Sequence, residues 1–359
     1  MLFSSLTDTL GVTLRAAFAA GAALVLVLLA IPRLAQLAHR CRFGDRDDKS
    51  ESNQLNQLHQ SKRQTPVVGG IAMLLGSLTA SLLFADLTSS HTWVLLTTLV
   101  TLAGLGFADD WAKTFGTNRK AGLSPRQKLA AQLVLGLGVG LFLLVQASGS
   151  GDATRSTLAV PFTGVELWIG GAGFVLLSAF LVTGSSNAVN LTDGLDGLAG
   201  GCSLVAFGVY LTLAALATDP ASAQAFGLSF VAGAGETTVV LAAMAGALTG
   251  FLCYNRHPAQ VFMGDTGSLP LGGVLAAAAI LTRQELLLAL VGGVFVAEAL
   301  SVMAQVGSFK LTGKRVLRCA PLHHHFEFKG WRETEIVTGF HGVALLLGIL
   351  GLAGLGLTS

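Results

Sequence analysis

Long apolar runs separated by short polar segments account for most of this 359-residue chain. Most of the runs approach the roughly 17–25 residues that an α-helix needs to cross the hydrocarbon core of a membrane. The ten runs lie at 16–32, 67–85, 92–108, 129–147, 167–185, 198–218, 237–254, 267–282, 286–309 and 336–357. The pattern predicts an all-α polytopic membrane protein of about ten transmembrane helices, forming a single integral membrane domain over residues 1–359. The short run at 267–282 could instead form one re-entrant pair with 286–309.

The positions of lysine and arginine predict the orientation of these helices. Segments 33–64, 109–128, 255–266 and 309–332 contain 19 of the 22 cations, although only 12% of all residues are charged. Because cytoplasmic loops of membrane proteins are enriched in Lys and Arg, these segments are expected to be cytoplasmic. An even number of helices then places both termini on the exterior (periplasmic) side. The predicted cytoplasmic loops are 33–66, 109–128, 186–197, 255–266 and 310–335.

The net charge and the cysteine content give little further information about fold or function. The formal net charge is only +2, and we expect no nucleic-acid partner. The four cysteines are isolated in the sequence and lack the spacing of a zinc site, so we assign them to packing or surface positions.

Four polar clusters interrupt the apolar pattern, at 109–110, 190–196, 255–265 and 323–325. Each follows an odd-numbered apolar run, so counting the crossings places all four on the same, cation-rich face. Carboxylates, amides and imidazoles beside Lys and Arg at a membrane surface indicate a site where a phosphorylated substrate meets a lipid.

The first cluster is Asp109-Asp110, at the end of the third apolar run. A charge deep in the bilayer costs roughly 2.5–3.5 kcal/mol on insertion scales, which predicts an interfacial position. Consecutive helical residues point about 100° apart, so the pair should not bind one ion from a regular helix. We expect one Asp to face the site while the other holds Lys113 or a backbone amide. The alternative is a simple interfacial stop signal.

The second cluster lies within 187–201, where Asn190, Asp193 and Asp196 recur every three residues. If this segment is helical, the spacing places them on one face, and Gly194 and Gly197 allow close backbone approach. Such a ridge suits ribose hydroxyls, a uracil edge or a hydrated cation. An ordinary interhelical turn is the alternative.

The third cluster ends in Asp265, within a glycine-flanked loop that leads into the eighth run. Magnesium usually takes one or two protein carboxylates and completes its shell with water and substrate phosphate, so Asp265 is a candidate Mg²⁺ ligand. An ordinary helix N-cap is the alternative. Phe262 is a candidate for stacking on a base, or a packing contact.

The fourth cluster is His323-His324-His325. Adjacent side chains point in different directions, so the three imidazoles should not converge on one metal; they can instead donate hydrogen bonds to a diphosphate. A solvated histidine tract is the alternative. Glu298 is an acid inside an apolar run and therefore a functional candidate, or merely a bond to a neighbouring helix; the sequence does not identify its partner.

These motifs closely resemble the phospho-N-acetylmuramoyl-pentapeptide transferase family, within the polyprenyl-phosphate N-acetylhexosamine-1-phosphate transferase superfamily. The matching segments are 62–70, 109–113, 187–201, 262–269 and 309–315, continuing into 321–327. One departure is at 65–70, where the family's usual Thr-Pro-Thr-Met-Gly-Gly reads Thr-Pro-Val-Val-Gly-Gly. Another is the preceding loop, which lacks the usual acidic segment.

The resemblance implies a Mg²⁺-dependent transfer of phospho-MurNAc-pentapeptide from its UDP carrier to undecaprenyl phosphate, in the inner membrane of a bacterium, with release of UMP. It implies the catalytic residues Asp109, Asp110, Asp265 and His323, with Asp265 as the metal ligand. The implied substrate-binding residues are Lys62, Thr65, Lys113, Lys128, Asn190, Asp193, Gly194, Leu195, Asp196, Asn255, Phe262, Gln305, His324 and His325. A homodimer is a candidate assembly.

Two other functions remain open at this point. A related enzyme that transfers GlcNAc-1-phosphate to the same lipid would share the aspartates and the metal. A polytopic transporter is the alternative from another class, although transporters tend to bind substrate near the bilayer midplane and often contain repeats. No convincing repeat is visible in this sequence.

Overall fold

The computed structural model describes residues 11–41, 65–115, 122–150 and 153–355. Thirteen α-helices occur within these ranges. They are α1 (Val12–Cys41), α2 (Gly69–Phe84), α3 (Ser90–Phe115), α4 (Pro125–Ser150), α5 (Gly170–Thr192), α6 (Leu198–Ala217), α7 (Pro220–Ala225), α8 (Ala234–Asn255), α9 (Gly264–Leu281), α10 (Leu287–Val291), α11 (Gly293–Thr312), α12 (Leu322–Glu327) and α13 (Glu333–Ala353).

Nine of the helices in the described ranges are long and apolar enough to cross a membrane. They are α1, α3, α4, α5, α6, α8, α9, α11 and α13. The remaining predicted run forms α2, an apolar helix of 16 residues, which is shorter than the others. The polytopic helical architecture is therefore confirmed, with nine candidate spans where about ten were expected.

A small β-hairpin is the only β-structure in the described part of the chain. Strands β1 (Thr157–Ala159) and β2 (Glu166–Trp168) pair antiparallel, with Leu158 opposite Leu167. The hairpin connects α4 to α5.

Helix α9 forms the centre of the bundle. In its most apolar window, 89% of the residues are buried, and it packs against α2, α3, α5 and α6. Small residues permit this close packing: a Cβ at Gly272 would lie 2.1 Å from the Ser185 carbonyl oxygen of α5. In contrast, α11 and α13 are largely exposed and lie at the periphery.

The three cations outside the cation-rich segments are all buried at one end of this bundle. Arg15 forms a two-pronged ion pair with Glu236, at 2.6 and 3.0 Å, which joins the start of α1 to the start of α8. Arg155 donates to the Ile280 carbonyl, and Arg283 to the Ser229 hydroxyl. These cations satisfy buried or partly buried acceptors, so they are structural exceptions to the charge asymmetry.

The opposite end of the bundle depends on a close contact between α3 and α9. A Cβ at Gly106 would lie 2.1 Å from the carbonyl oxygen of Asp265, whereas a Cβ at Gly104 would meet no described atom within 4 Å. We expect Gly106→Ala to destabilise the protein by about 1–3 kcal/mol, because the clash involves backbone that cannot rotate away. The matched control Gly104→Ala, on the same helix, should be neutral or slightly stabilising. Thermal unfolding in detergent checks this, and equal Tm values for the two variants would contradict it.

Candidate active site

Three carboxylates meet where α3 and α9 cross. Asp109 and Asp110 lie on α3 and are 0% and 1% exposed, and Asp265 lies in the first turn of α9. Each contributes an oxygen to a group whose members all lie within 4.8 Å of one another. Asp109 and Asp110 thus approach one another and Asp265 from a regular helix, where the sequence predicted that binding one ion would require fraying at the helix end. Helix α3 also continues to Phe115, so the pair does not end the helix.

Asp110 fixes the beginning of α9. Its Oδ2 accepts hydrogen bonds from the backbone N–H of Thr266 at 3.0 Å and from the Thr266 hydroxyl at 2.8 Å. Gly264 adopts a φ of +65°, and a Cβ there would lie 2.5 Å from this same oxygen. Glycine meets both requirements, since it tolerates positive φ and leaves room for the carboxylate.

Two lysines bridge the other two carboxylates. Lys113 Nζ lies 2.5 Å from Asp109 Oδ2 and 3.3 Å from Asp265 Oδ2. Lys128 Nζ, from the first turn of α4, lies 2.8 and 2.7 Å from the same two oxygens. The backbone N–H of Leu123 donates to Asp109 Oδ1 at 2.8 Å. We call these five residues, Asp109, Asp110, Asp265, Lys113 and Lys128, the charged cluster.

Asn190 joins the end of α5 to the charged cluster. Its Nδ2 donates to Asp265 Oδ1 at 2.9 Å and to the Ser268 hydroxyl at 2.8 Å. One turn earlier, Asn187 donates to Gln132 Oε1, and the fully buried Gln132 donates to Ser186. These hydrogen bonds of side-chain amides set the position of α5 relative to α4 and α9.

The expected ridge of Asn190, Asp193 and Asp196 does not form, because α5 ends at Thr192 and the chain turns before α6. Asp193 is the C-cap of α5. Asp196 faces a different set of partners from Asn190: its Oδ2 lies 3.1 Å from His257 Nδ1 and accepts from the Ala259 N–H. The spacing of three residues gave the wrong geometry here because the helix stops between its members.

Asp196, His257 and Glu333 form a second group whose oxygen and nitrogen atoms lie within 4.8 Å of one another. Glu333 Oε1 accepts from the Asp196 backbone N–H at 2.7 Å, and Glu333 Oε2 lies 3.4 Å from His257 Nδ1. These bonds connect the 193–197 turn to the beginning of α13. Leu195, in the same turn, is 4% exposed.

The side chains of Asn255 and Gln305 both form hydrogen bonds with backbone groups. Asn255 accepts from the Gly197 N–H and donates to the Val261 carbonyl. Gln305 accepts from Val316 and Leu317 and donates to the Leu317 carbonyl. These hydrogen bonds shape the 193–197 turn and the 313–321 loop around the site.

Thr65 and Phe262 belong to two segments that run side by side. The Phe262 N–H donates to the Pro66 carbonyl, and the Phe262 carbonyl accepts from Gly69, each at 2.9 Å. Thr65 therefore lies beside the segment that leads into Asp265. Lys62 lies outside the described residues.

The three histidines have three different partners, as adjacent side chains should. His323 Nδ1 lies 3.2 Å from Glu298 Oε1, and His324 Nδ1 lies 2.5 Å from Glu327 Oε2. His325 Nδ1 accepts from the Arg318 N–H. Partial desolvation, together with the charges of Lys329 and Arg318, lowers the pKa of His325 below its usual value.

His323 is 0% exposed, so the solvated-tract interpretation is wrong for this residue. It lies against the 193–197 turn: a Cβ at Gly194 would be 2.2 Å from His323 Nε2. The structure thus brings the fourth polar cluster against the second, and the second against the third through Asn190 and Asp265.

The donor set of the charged cluster fits a hard divalent cation. Its three carboxylates outnumber its two ammonium groups, so the cluster attracts further positive charge when all five groups are ionised. Carboxylate oxygen is the ligand that Mg²⁺ prefers, and no sulfur or imidazole belongs to this group.

Sequence reasoning assigned no role to the side chains of Ser268, Thr266, Gln132, His257 or Glu333. Thr266 and Ser268 directly follow Asp265, and a helix start with hydroxyls was the available signal. Tertiary contacts bring Gln132, His257 and Glu333 into this region, and no local sequence pattern predicts those contacts.

Comparison with known proteins agrees with the geometry. A family model described as Glycosyl transferase family 4 matches residues 92–283. The chain is 42% identical over 345 residues to the phospho-N-acetylmuramoyl-pentapeptide-transferase of Syntrophus aciditrophicus (strain SB), covering 95% of this chain and 93% of that relative. It is 45% identical over 296 residues to the protein of the same name from Desulfosudis oleivorans, covering 82% and 81%. A third protein of that name, from Geobacter sp. (strain M21), is 45% identical over 298 residues, covering 82% and 81%.

The match extends over most of the chain, and residues 92–283 include Asp109, Asp265, both lysines of the charged cluster and the turn that follows α5. Similarity at this level, over this length and across the site, establishes kinship. The chain belongs to the phospho-N-acetylmuramoyl-pentapeptide transferase family.

Proposed function

We propose that this protein transfers phospho-MurNAc-pentapeptide from UDP-MurNAc-pentapeptide to undecaprenyl phosphate, forming the lipid-linked peptidoglycan precursor and UMP at the cytoplasmic face of a bacterial inner membrane. The observation that carries the proposal is the charged cluster, in which residues from α3, α4 and α9 meet at one end of an apolar bundle. Family membership names the sugar and the lipid.

The reaction replaces one phosphoanhydride bond by another. An oxygen of the lipid phosphate attacks the β-phosphorus of the UDP-sugar, a new P–O bond forms, the bond between the α- and β-phosphates breaks, and UMP leaves with its electron pair. Such chemistry requires mainly positioning and stabilisation of negative charge.

The lysines of the charged cluster supply that stabilisation. Lys113 and Lys128 already bridge Asp109 and Asp265. A diphosphate that binds beside these carboxylates would therefore lie within reach of both ammonium groups. Ammonium groups held in place before the substrate binds need little reorganisation as charge develops in the transition state. Asp109 would remove a proton from the lipid phosphate or orient it.

Asp265 would hold Mg²⁺, and Asp109 and Asp110 lie close enough to contribute. The bound ion would neutralise charge on the diphosphate. Asn190 keeps Asp265 in place, and Asp110 keeps the first turn of α9 in place through Thr266.

The nucleoside would bind beside the charged cluster, between the 193–197 turn and the 262–265 segment. Asp193, Gly194, Leu195 and Asp196 come from the turn, and Phe262 is the aromatic candidate to stack on uracil. His323 and His324 would contact the diphosphate or the sugar, with Thr65, Lys62, Asn255, Gln305 and His325 lining or shaping the same cleft.

The metal role of Asp265 predicts the effect of a near-isosteric change. We expect Asp265→Asn to lower the transfer rate by roughly 100-fold or more, because the amide removes a charged ligand while preserving shape. Mn²⁺ binding followed by electron paramagnetic resonance should weaken in parallel, at an unchanged Tm. The control Asp219→Asn changes an exposed acid at the start of α7 and should keep full activity. Normal transfer by Asp265→Asn at ordinary Mg²⁺ would remove this residue from the site.

Substrate identity is tested by a membrane assay that offers UDP-MurNAc-pentapeptide and UDP-GlcNAc together with undecaprenyl phosphate. We expect UMP release and lipid product only from the muramoyl substrate. Consumption of UDP-GlcNAc alone would favour the related GlcNAc-1-phosphate transferase. Substrate flux across vesicles without UMP release would favour a transporter.

The proposed orientation predicts which positions an impermeant reagent can reach. In a variant without the native cysteines, Ala221→Cys in α7 and Lys314→Cys in the 313–321 loop are both exposed, at opposite ends of the bundle. An impermeant maleimide should label Ala221→Cys in intact spheroplasts and Lys314→Cys only after lysis. The reverse pattern would place the charged cluster on the exterior side.

A further inference from the structure

Glu298 is a fully buried acid in the middle of α11, and its carboxylate oxygens contact the first turn of α12. Its Oε2 accepts from the Leu322 N–H at 2.6 Å, and its Oε1 accepts from the His323 N–H at 3.1 Å. Oε1 also lies 3.2 Å from Nδ1 of the His323 ring. A carboxylate from one helix thus binds two backbone donors and one ring nitrogen of another.

These contacts explain why a charge is tolerated at this depth. A buried carboxylate is costly unless it is hydrogen-bonded, and backbone N–H groups at the start of a helix are strong partners for an anion. The N-cap residue of α12, Pro321, provides no side-chain cap, so Glu298 supplies the acceptors that the helix itself lacks.

The same contacts determine which nitrogen of His323 faces the substrate. An ionised carboxylate can only accept, so a hydrogen bond to it requires the hydrogen on Nδ1. Nε2 is then the nitrogen left for other contacts; it is buried and has no hydrogen-bond partner among the described residues. It faces the 193–197 turn at Gly194, which leaves room for the ring because it has no side chain.

We infer that Glu298 is a positioning residue that fixes the orientation and the Nδ1–H form of His323, so that Nε2 is presented to the substrate beside Gly194. The inference rests on the proposed function, in which this turn binds the nucleotide-sugar. When the ring is protonated, Nε2 carries a hydrogen and can donate to a phosphate oxygen. When the ring is neutral, Nε2 accepts from a hydroxyl or amide of the substrate.

Glutamine at position 298 would preserve volume but not this arrangement. One of its two terminal atoms is itself a donor, so it cannot accept from Leu322, from His323 N–H and from His323 Nδ1–H at once. The ring would lose its preference for the Nδ1–H form. Glu298→Gln therefore distinguishes a role of Glu298 in positioning the His323 ring from a role in filling space between the helices.

The first test measures the ring directly. In protein labelled with ¹⁵N-histidine, with the His323 signal assigned by its loss in His323→Gln, we expect hydrogen on Nδ1 in the wild type. In Glu298→Gln we expect hydrogen on Nε2 or a mixture of the two forms. The control Glu236→Gln alters the buried acid paired with Arg15 at the other end of the bundle and should leave the His323 signal unchanged. A wild-type ring with hydrogen on Nε2 alone would overturn the inference, even if the variant could not be purified.

The second test is a double-mutant cycle on transfer activity. We expect Glu298→Gln and His323→Gln each to lower kcat by roughly 10-fold or more, and the double variant to be no slower than His323→Gln alone, because both changes remove the same contact. Independent, multiplying losses would assign Glu298 a structural role and refute positioning. If the wild type transfers neither sugar, the proposed function fails, while the ring measurement still decides whether Glu298 sets the form of His323.

Discussion

The contact between α3 and α9 is the constraint on which the site depends. The Gly106 position of α3 lies directly against the Asp265 carbonyl, so a methyl group would already be too large there. This contact brings Asp109 and Asp110 beside the first turn of α9, and Asp110 then holds that turn through Thr266. The three carboxylates converge because α3 has no side chain at Gly106, where it meets the first turn of α9.

Such a concentration of acid would oppose folding without compensation. Unpaired carboxylates at this degree of burial carry a penalty of several kcal/mol each, which is reduced when an opposite charge and further hydrogen bonds are available. Lys113, one turn after Asp109, and Lys128, from α4, provide the charge, while Leu123 and Asn190 provide hydrogen bonds. In the proposed function, the cations that balance the cluster would also bind the diphosphate, so a single arrangement would serve both stability and binding.

The fold could be predicted from the sequence because its signal is local and repeated: each apolar run of sufficient length formed a helix. Counting crossings also predicted that Asp109 and Asp265 lie on one face, whereas the place of Lys128 beside them was implied only by the family resemblance. Patterns that depend on where a helix ends were less reliable. The Asn190 to Asp196 spacing predicted one ridge, but the end of α5 at Thr192 separates its members. Contacts between distant helices, such as the Glu298–His323 pair, could not be predicted, because no local sequence pattern relates residues 25 positions apart on different helices.

The two ends of the bundle use buried charge in different ways, and the difference bears on function. At the end with Arg15 and Glu236, one cation and one carboxylate form a two-pronged ion pair that connects helices, although Arg15 Nε is buried without a hydrogen-bond partner among the described residues. At the other end, the carboxylates of the charged cluster outnumber its cations, and His323 Nε2 is buried without a hydrogen-bond partner among the described residues. An unpaired buried polar atom costs free energy, which a protein tolerates when a ligand later satisfies it. The excess of carboxylates over cations in the charged cluster, together with the unpaired His323 Nε2, therefore supports the proposed binding site on physical grounds that do not depend on sequence comparison.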